Sequence, residues 1–306
     1  MLKPFLPQVL ALAVVVTAVG CGAASSGMST SEPRKLDATQ TSAHAKYISE
    51  GDALWAKRGQ GGNAMAAIGK WEEAVKVQPG DWRTCAKLSK AYFFAAGGWL
   101  SNVFWKKRMK LHERGFELAE QGLKAQSPRF AKLRSQGSKI ENAVEVIERE
   151  GIPLAYWYGT NLGAYAYASG MVDGLKLKSR IEKMIQHVHK TERPFFHYGA
   201  DRFLAAFYGA APPFIGGDIN KATEQYEFLA KKVPNNLSMH YVKARYYAVR
   251  KKDKAMFLKL LNGIIAAKPC ADPNPTTPCI EAGSEAEADL EKSKARALLP
   301  DVGIHF

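Results

Sequence analysis

Apolar residues recur along most of this chain at three- and four-residue spacing, the period of one face of an α-helix. Leu111, Leu118, Ala119, Gly122 and Leu123 form one such stripe, and Tyr226, Leu229 and Ala230 another. Alternation with period two is scarce, so the pattern predicts an all-α fold. A longer spacing lies over the helical one. Ala67, Trp71, Ala74 and Pro79 stand at intervals of four, three and five residues; Ala222, Tyr226, Leu229 and Pro234 repeat those intervals, and so do Phe257, Leu261, Ile264 and Pro269. The first three residues of each set share a helical face, and the proline stops the helix. Gly115, Ala119, Gly122 and Pro128 follow the scheme with one extra residue. Partner helices are predicted over residues 43–58, 82–96, 154–169, 195–208 and 237–250.

A small or apolar residue, a large one a turn later, another beyond it and a closing proline resemble the second helix of a tetratricopeptide repeat. Residues 43–306 are therefore expected to form one tetratricopeptide-like domain, an irregular right-handed solenoid of roughly five helical hairpins. No unit carries the full repeat signature, and an unrelated helical bundle is the alternative.

The first residues follow a different pattern. Lys3 precedes an apolar stretch over 5–19, broken by Pro7, Gln8 and Thr17, which is the layout of a signal peptide. Its uninterrupted part, 9–16, is about 12 Å long as a helix, against the roughly 30 Å of hydrocarbon that a spanning helix must cross. Ala18-Val19-Gly20-Cys21 then resembles the bacterial lipobox. That resemblance implies a signal peptide over 1–20, cleavage before Cys21 and a diacylglyceryl group on its thiol; the alternative is an ordinary secretory signal with a coincidental cysteine. Residues 21–42, rich in Ala, Ser, Thr and Gly, read as a lipidated tether letting the body float about 25 Å from the bilayer. Gly22 in place of the aspartate linked with inner-membrane retention points to the inner leaflet of the outer membrane.

The formal net charge is +14. For an exported protein this argues against nucleic acid and for anionic head groups, an acidic partner or simply a solvated basic surface. Cys270 and Cys279 bracket a proline-rich loop and are expected to pair, a closure worth about 2–3 kcal/mol in the chain-entropy model. Cys85, in register with Leu88 and Tyr92, reads as a packed hydrophobe.

The second half carries a denser set of features. Tyr156-Trp157-Tyr158-Gly159 and Asn161-Leu162-Gly163 are followed by a helix ending in an aromatic pair at Phe207-Tyr208. Then come Ala211-Pro212-Pro213-Phe214-Ile215-Gly216-Gly217-Asp218, Ala222, Tyr226, Tyr246-Tyr247-Ala248, Asp253, Phe257 and Leu260-Leu261, and a charged final helix. In this order they resemble the T component of tripartite ATP-independent periplasmic (TRAP) transporters, the TatT lipoproteins, over about residues 45–300. The resemblance implies a lipid-anchored periplasmic accessory that works with a TRAP substrate-binding subunit, tends to form a homotrimer and hands over a small organic or hydrophobic ligand. The rivals are a general envelope scaffold without solute binding and a helical envelope hydrolase.

Tyr156, Trp157, Asn161 and Tyr165 partly share a helical face and are the candidate lining of a ligand channel, although aromatic stripes are more often core. Pro212 and Pro213 end a helix, Gly216 and Gly217 permit the reversal, and Asp218 caps the next helix. His187 and His189 point about 200° apart on a helix, which disfavours a shared metal. His197 lies among aromatics. Glu72 with Glu73 and Glu148 with Glu150 read as solvated charges rather than acid–base pairs. No phosphate loop, nucleophile elbow, zinc spacing or dinucleotide fingerprint occurs. No catalytic residue, metal or cofactor is assigned beyond the lipid on Cys21. The apolar segment 93–105, followed by Lys106, Lys107, Arg108 and Lys110, is either a buried helix end or a contact edge for a partner or membrane.

Overall fold

A computed structural model describes residues 35–98 and 105–306. The expectations for the signal peptide, for Cys21 and for the tether up to residue 34 lie outside the described residues, as does 99–104 of the apolar segment.

The chain is all-α, with helices packed as neighbouring pairs. α1 (Ala38–Ala56) packs on α2 (Asn63–Val77), and α3 (Trp82–Gly98) on α4 (Trp105–Gln126). An insertion of two short helices, α5 (Pro128–Ser135) and α6 (Ile140–Ala143), leads to α7 (Ile152–Ser169), which pairs with α8 (Met171–Thr191). α9 (Phe195–Ala210) pairs with α10 (Ile219–Lys232). α11 (Leu237–Val242) continues as a π-helix over Lys243–Ala248 and packs on α12 (Lys254–Ala266). α13 (Glu285–Leu298) and the short α14 (Val302–His305) complete the chain. Among the described residues the one extended pairing is a bridge between Pro269 and Ile280.

The repeated intervals mark core positions. Ala67, Trp71 and Ala74 on α2, Ala222, Tyr226 and Leu229 on α10, and Phe257, Leu261 and Ile264 on α12 are all buried. Each of these helices ends two or three residues before its proline, as steric exclusion of the α conformation ahead of proline requires. Short polar side chains cap the starts of α11 and α12. Asn236 accepts from the Met239 amide at 2.9 Å and Asp253 from that of Met256 at 2.8 Å. α1 starts five residues earlier than expected, because Asp37 and Gln40 exchange side-chain and backbone hydrogen bonds in a capping box. Residues 38–42 are thus helical, although their composition reads as tether.

Cys270 and Cys279 are disulfide-bonded. Cys85 is fully buried, and burial pushes its thiol up to about 12. Glu72 departs from the solvated reading. It accepts from Arg114 Nε at 2.9 Å, Arg114 Nη2 at 2.8 Å and the Tyr92 hydroxyl at 2.8 Å, tying α2, α3 and α4 together. Burial raises its pKa, but the hydrogen bonds from Arg114 and Tyr92 and the Arg114 charge together outweigh it, so the net shift is downward. A depressed carboxyl stabilises the fold above the unfolded-state value of about 4.3 and loses that contribution as pH falls through the lower folded value. Glu72→Gln should therefore lose stability at neutral pH and show a shallower decline below about pH 4.3, read from denaturant midpoints. An unchanged acid limb would rule out this linkage.

The end of the chain returns to its beginning. Arg58, just past α1, meets Glu287 of α13 through Nε–Oε1 at 3.0 Å and Nη2–Oε2 at 2.5 Å, and donates to the Gly283 carbonyl at 2.9 Å. α13 also packs against α3.

Candidate functional site

α7 is the central helix, in contact with α3, α4, α8 and α9. Every residue from 154 to 162 is buried, which a helix can satisfy only if its neighbours approach on several sides. Small residues permit that approach. A Cβ at Gly115 of α4 would lie 2.7 Å from the side chain of Asn161, one at Gly163 would lie 2.7 Å from the Phe203 ring, and one at Gly199 of α9 2.6 Å from the Tyr156 ring.

Asn161, fully buried, is the hub of a polar knot joining three helices. Its amide nitrogen donates to the carbonyl oxygens of Ser89 on α3 at 3.0 Å and Trp157 at 2.9 Å, and its oxygen accepts from His112 Nδ1 on α4 at 3.0 Å. The Ser89 hydroxyl donates to the Gly115 carbonyl at 2.7 Å. Burial depresses His112 to a pKa of about 4, against a smaller opposing effect of its bond to Asn161, so the ring is neutral at physiological pH.

One turn earlier, Tyr156 and Trp157 stand in an aromatic cluster. Trp157 lies 4.8 Å from the Phe196 ring and 5.6 Å from that of Phe93, and Tyr156 lies 5.4 Å from Phe195. Burial raises the Tyr156 hydroxyl. The wall facing them is unusual: Phe196, His197 and Tyr198 take left-handed backbone conformations in succession, with φ of 49°, 54° and 55°. For side chains with a Cβ this costs roughly 1–2 kcal/mol per residue. Buried Arg202 braces the turn, donating to the carbonyls of Phe196 at 2.7 Å and His197 at 3.2 Å. Its neighbour Asp201, also buried, accepts from Arg193 at 2.7 Å and lies 3.3 Å from His189 Nε2. Tyr165 is half-buried, edge-on to Phe116 at 5.6 Å.

At the α9–α10 reversal, Pro213 opens a 3₁₀ turn (Pro213–Ile215), Gly216 has φ +100°, and the Gly217 amide donates to the Pro212 carbonyl. Asp218 accepts from the amides of Asn220 at 2.9 Å and Lys221 at 3.2 Å, capping α10. His187 donates from Nε2 to the Ile147 carbonyl at 2.7 Å, while His189 faces Asp201, so the two histidines serve different neighbours.

Of the four candidate channel residues, Tyr156 and Trp157 share the aromatic cluster, Asn161 belongs to the adjoining knot, and Tyr165 sits further along α7. Sequence reading missed Ser89, His112 and Arg202. The small-residue series Gly115, Ala119, Gly122, taken only as an approximate repeat of the longer spacing, is the one signal that could have pointed to the close crossing of α4 and α7. The described groups build a rigid junction: polar atoms held by other buried polar atoms, with rings wedged between helices. The profile of one family, the TRAP transporter T-component, matches residues 105–300, from the start of α4 to the end of α13 and well over half of the chain. No curated protein matches it.

Proposed function

The chain belongs to the TRAP transporter T-component family, and on that premise we propose that it is a lipid-anchored periplasmic accessory that binds a TRAP substrate-binding subunit beside the bilayer. The match over 105–300 carries this reading. The family is one of transport accessories, not of enzymes. No helix among the described residues is long and apolar enough to cross a membrane, which fits a body held by lipid on Cys21, with 1–20 as signal peptide and the outer membrane as its support. Changing Cys21 to Ser should move the protein from the membrane to the soluble fraction; full retention would sink the anchor. Co-purification of a TRAP substrate-binding subunit from native membranes tests the partner, and sedimentation of the purified protein tests the homotrimer.

Ligand handover belongs to the same proposal. Tyr156, Trp157, Asn161 and Tyr165 would flank a path for a small hydrophobic molecule, and because the first three are buried, the path opens only if the Phe196–Tyr198 turn moves. A second reading, a scaffold that binds no solute, is favoured by the close fit of Gly199 to Tyr156 and by the mutual satisfaction of Asn161, Ser89 and His112. Mass spectrometry of small molecules retained by the native complex separates the two.

A further inference from the structure

Several of the large apolar side chains left in solvent gather at one end of the helical array. α4 runs antiparallel to α7, since Gly115 faces Asn161 and Gly122 faces Leu154, so Trp105 comes level with the end of α7. α8 turns back from that same end, and α9 runs parallel to α7, with Gly199 against Tyr156 and Phe203 against Gly163. The start of α4, the α7–α8 turn and the α9–α10 turn therefore share one end. There Trp105, Tyr167, Met171, Val172, Leu175 and Phe214 are exposed, Tyr167 to 66 % and Val172 and Phe214 each to 73 %. Side chains of this kind clustered on a surface mark a contact site, whereas scattered ones do not.

The same end is basic. Lys106, Lys107 and Lys110 are exposed and form no ion pair among the described residues, whereas Asp173 is neutralised by Lys176 at 2.7 Å. Apolar groups rimmed by unpaired lysines suit either an anionic membrane or an acidic protein surface. The position of α1 favours the protein. α1 runs parallel to α3, with His44 beside Asp81 at 3.2 Å and Trp55 against Phe94 at 5.5 Å. Ala38, from which the chain leads back to Cys21, thus lies at the opposite end, about 30 Å away along α4. A lipid on Cys21 tethers the chain at the Ala38 end, so the apolar end is the one away from the leash and open to a periplasmic partner.

We propose that this end, formed by the start of α4 and the α7–α8 and α9–α10 turns, is the docking surface for a soluble partner carrying an apolar patch rimmed by acidic residues. The proposal rests on the reading above, in which that partner is the TRAP substrate-binding subunit.

The test uses the full lipidated chain in detergent and the purified substrate-binding subunit of the same organism as probe. Val172→Asp/Phe214→Asp and Lys106→Glu/Lys107→Glu/Lys110→Glu should each weaken binding by roughly tenfold or more. Both should keep the wild-type melting temperature, because every changed side chain is exposed. Binding unchanged in both variants overturns the surface and leaves the proposed function standing. No binding by the wild-type chain overturns the proposed function and this inference with it. Retained subunit binding with lost binding to phosphatidylglycerol vesicles assigns the end to the membrane and overturns the protein partner. Lost self-association with intact subunit binding assigns it to contacts between copies and likewise overturns docking of the subunit there.

Discussion

Gly217→Ala should cost on the order of 3 kcal/mol or more and lower the melting temperature by about 6–12 °C. A Cβ on Gly217 would fall far inside van der Waals contact with the Ala211 carbonyl oxygen, a backbone atom that cannot swing aside as a side chain can. The turn has little freedom to retreat. The Gly217 amide is bonded to the Pro212 carbonyl and the Asp218 amide to that of Tyr208, each at 3.0 Å, and the Asp218 side chain is committed to the start of α10. Relief requires breaking the joint between α9 and α10. Gly216→Ala is the internal control: its φ of +100° makes the change unfavourable, but a Cβ there meets nothing closer than 3.6 Å, so the loss should be smaller. Thermal melts of the two variants decide the matter, and equal melting temperatures would show that the turn yields.

Asn161→Leu should be comparably damaging, at about 3–5 kcal/mol. It strands the His112 Nδ1 proton in a dry interior, at about 1–3 kcal/mol, strips the Ser89 and Trp157 carbonyls of their second bond, and presses a branched side chain against Gly115. A linked effect is visible in pH. His112 is held at about 4, well below its unfolded value of about 6.5. A base with a depressed folded pKa leaves stability intact above pH 6.5 and drains it as pH falls towards 4, because the unfolded chain takes up the proton first. The loss reaches at most about 1.4 kcal/mol per pH unit. His112→Gln should flatten the stability profile between pH 6.5 and 4, measured by chemical denaturation. A variant with the parental slope would place the titration elsewhere.

Hairpin helices and their buried faces were legible because they depend on local periodicity: Trp71, Tyr226 and Phe257 announce their core positions by spacing alone. The α9–α10 turn was legible for a similar reason, since proline, glycine and an N-capping aspartate restrict the backbone whatever surrounds them. What stayed hidden depends on partners distant in sequence. Asn161 shows nothing of Ser89, 72 residues away, and Glu72 reads as solvated until Arg114 folds over it, 42 residues away. The left-handed turn is the extreme case. Phe196, His197 and Tyr198 have no local preference for that conformation, and Arg202 supplies the bonds that hold it. The π-helical Lys243–Ala248 likewise follows an ordinary helical pattern in sequence.

The return of α13 to the first helices alters how such a protein comes apart. In an open solenoid each repeat touches only its neighbours, so the ends fray and unfolding can proceed piece by piece. Here the bond from Arg58 to Glu287 spans 229 residues, and the last long helix meets the connection between the first two helices. Neither terminal unit is free to peel. Native-state hydrogen exchange should then find α1 and α13 opening together, and refolding should wait on a slow closing step after the hairpins themselves have formed.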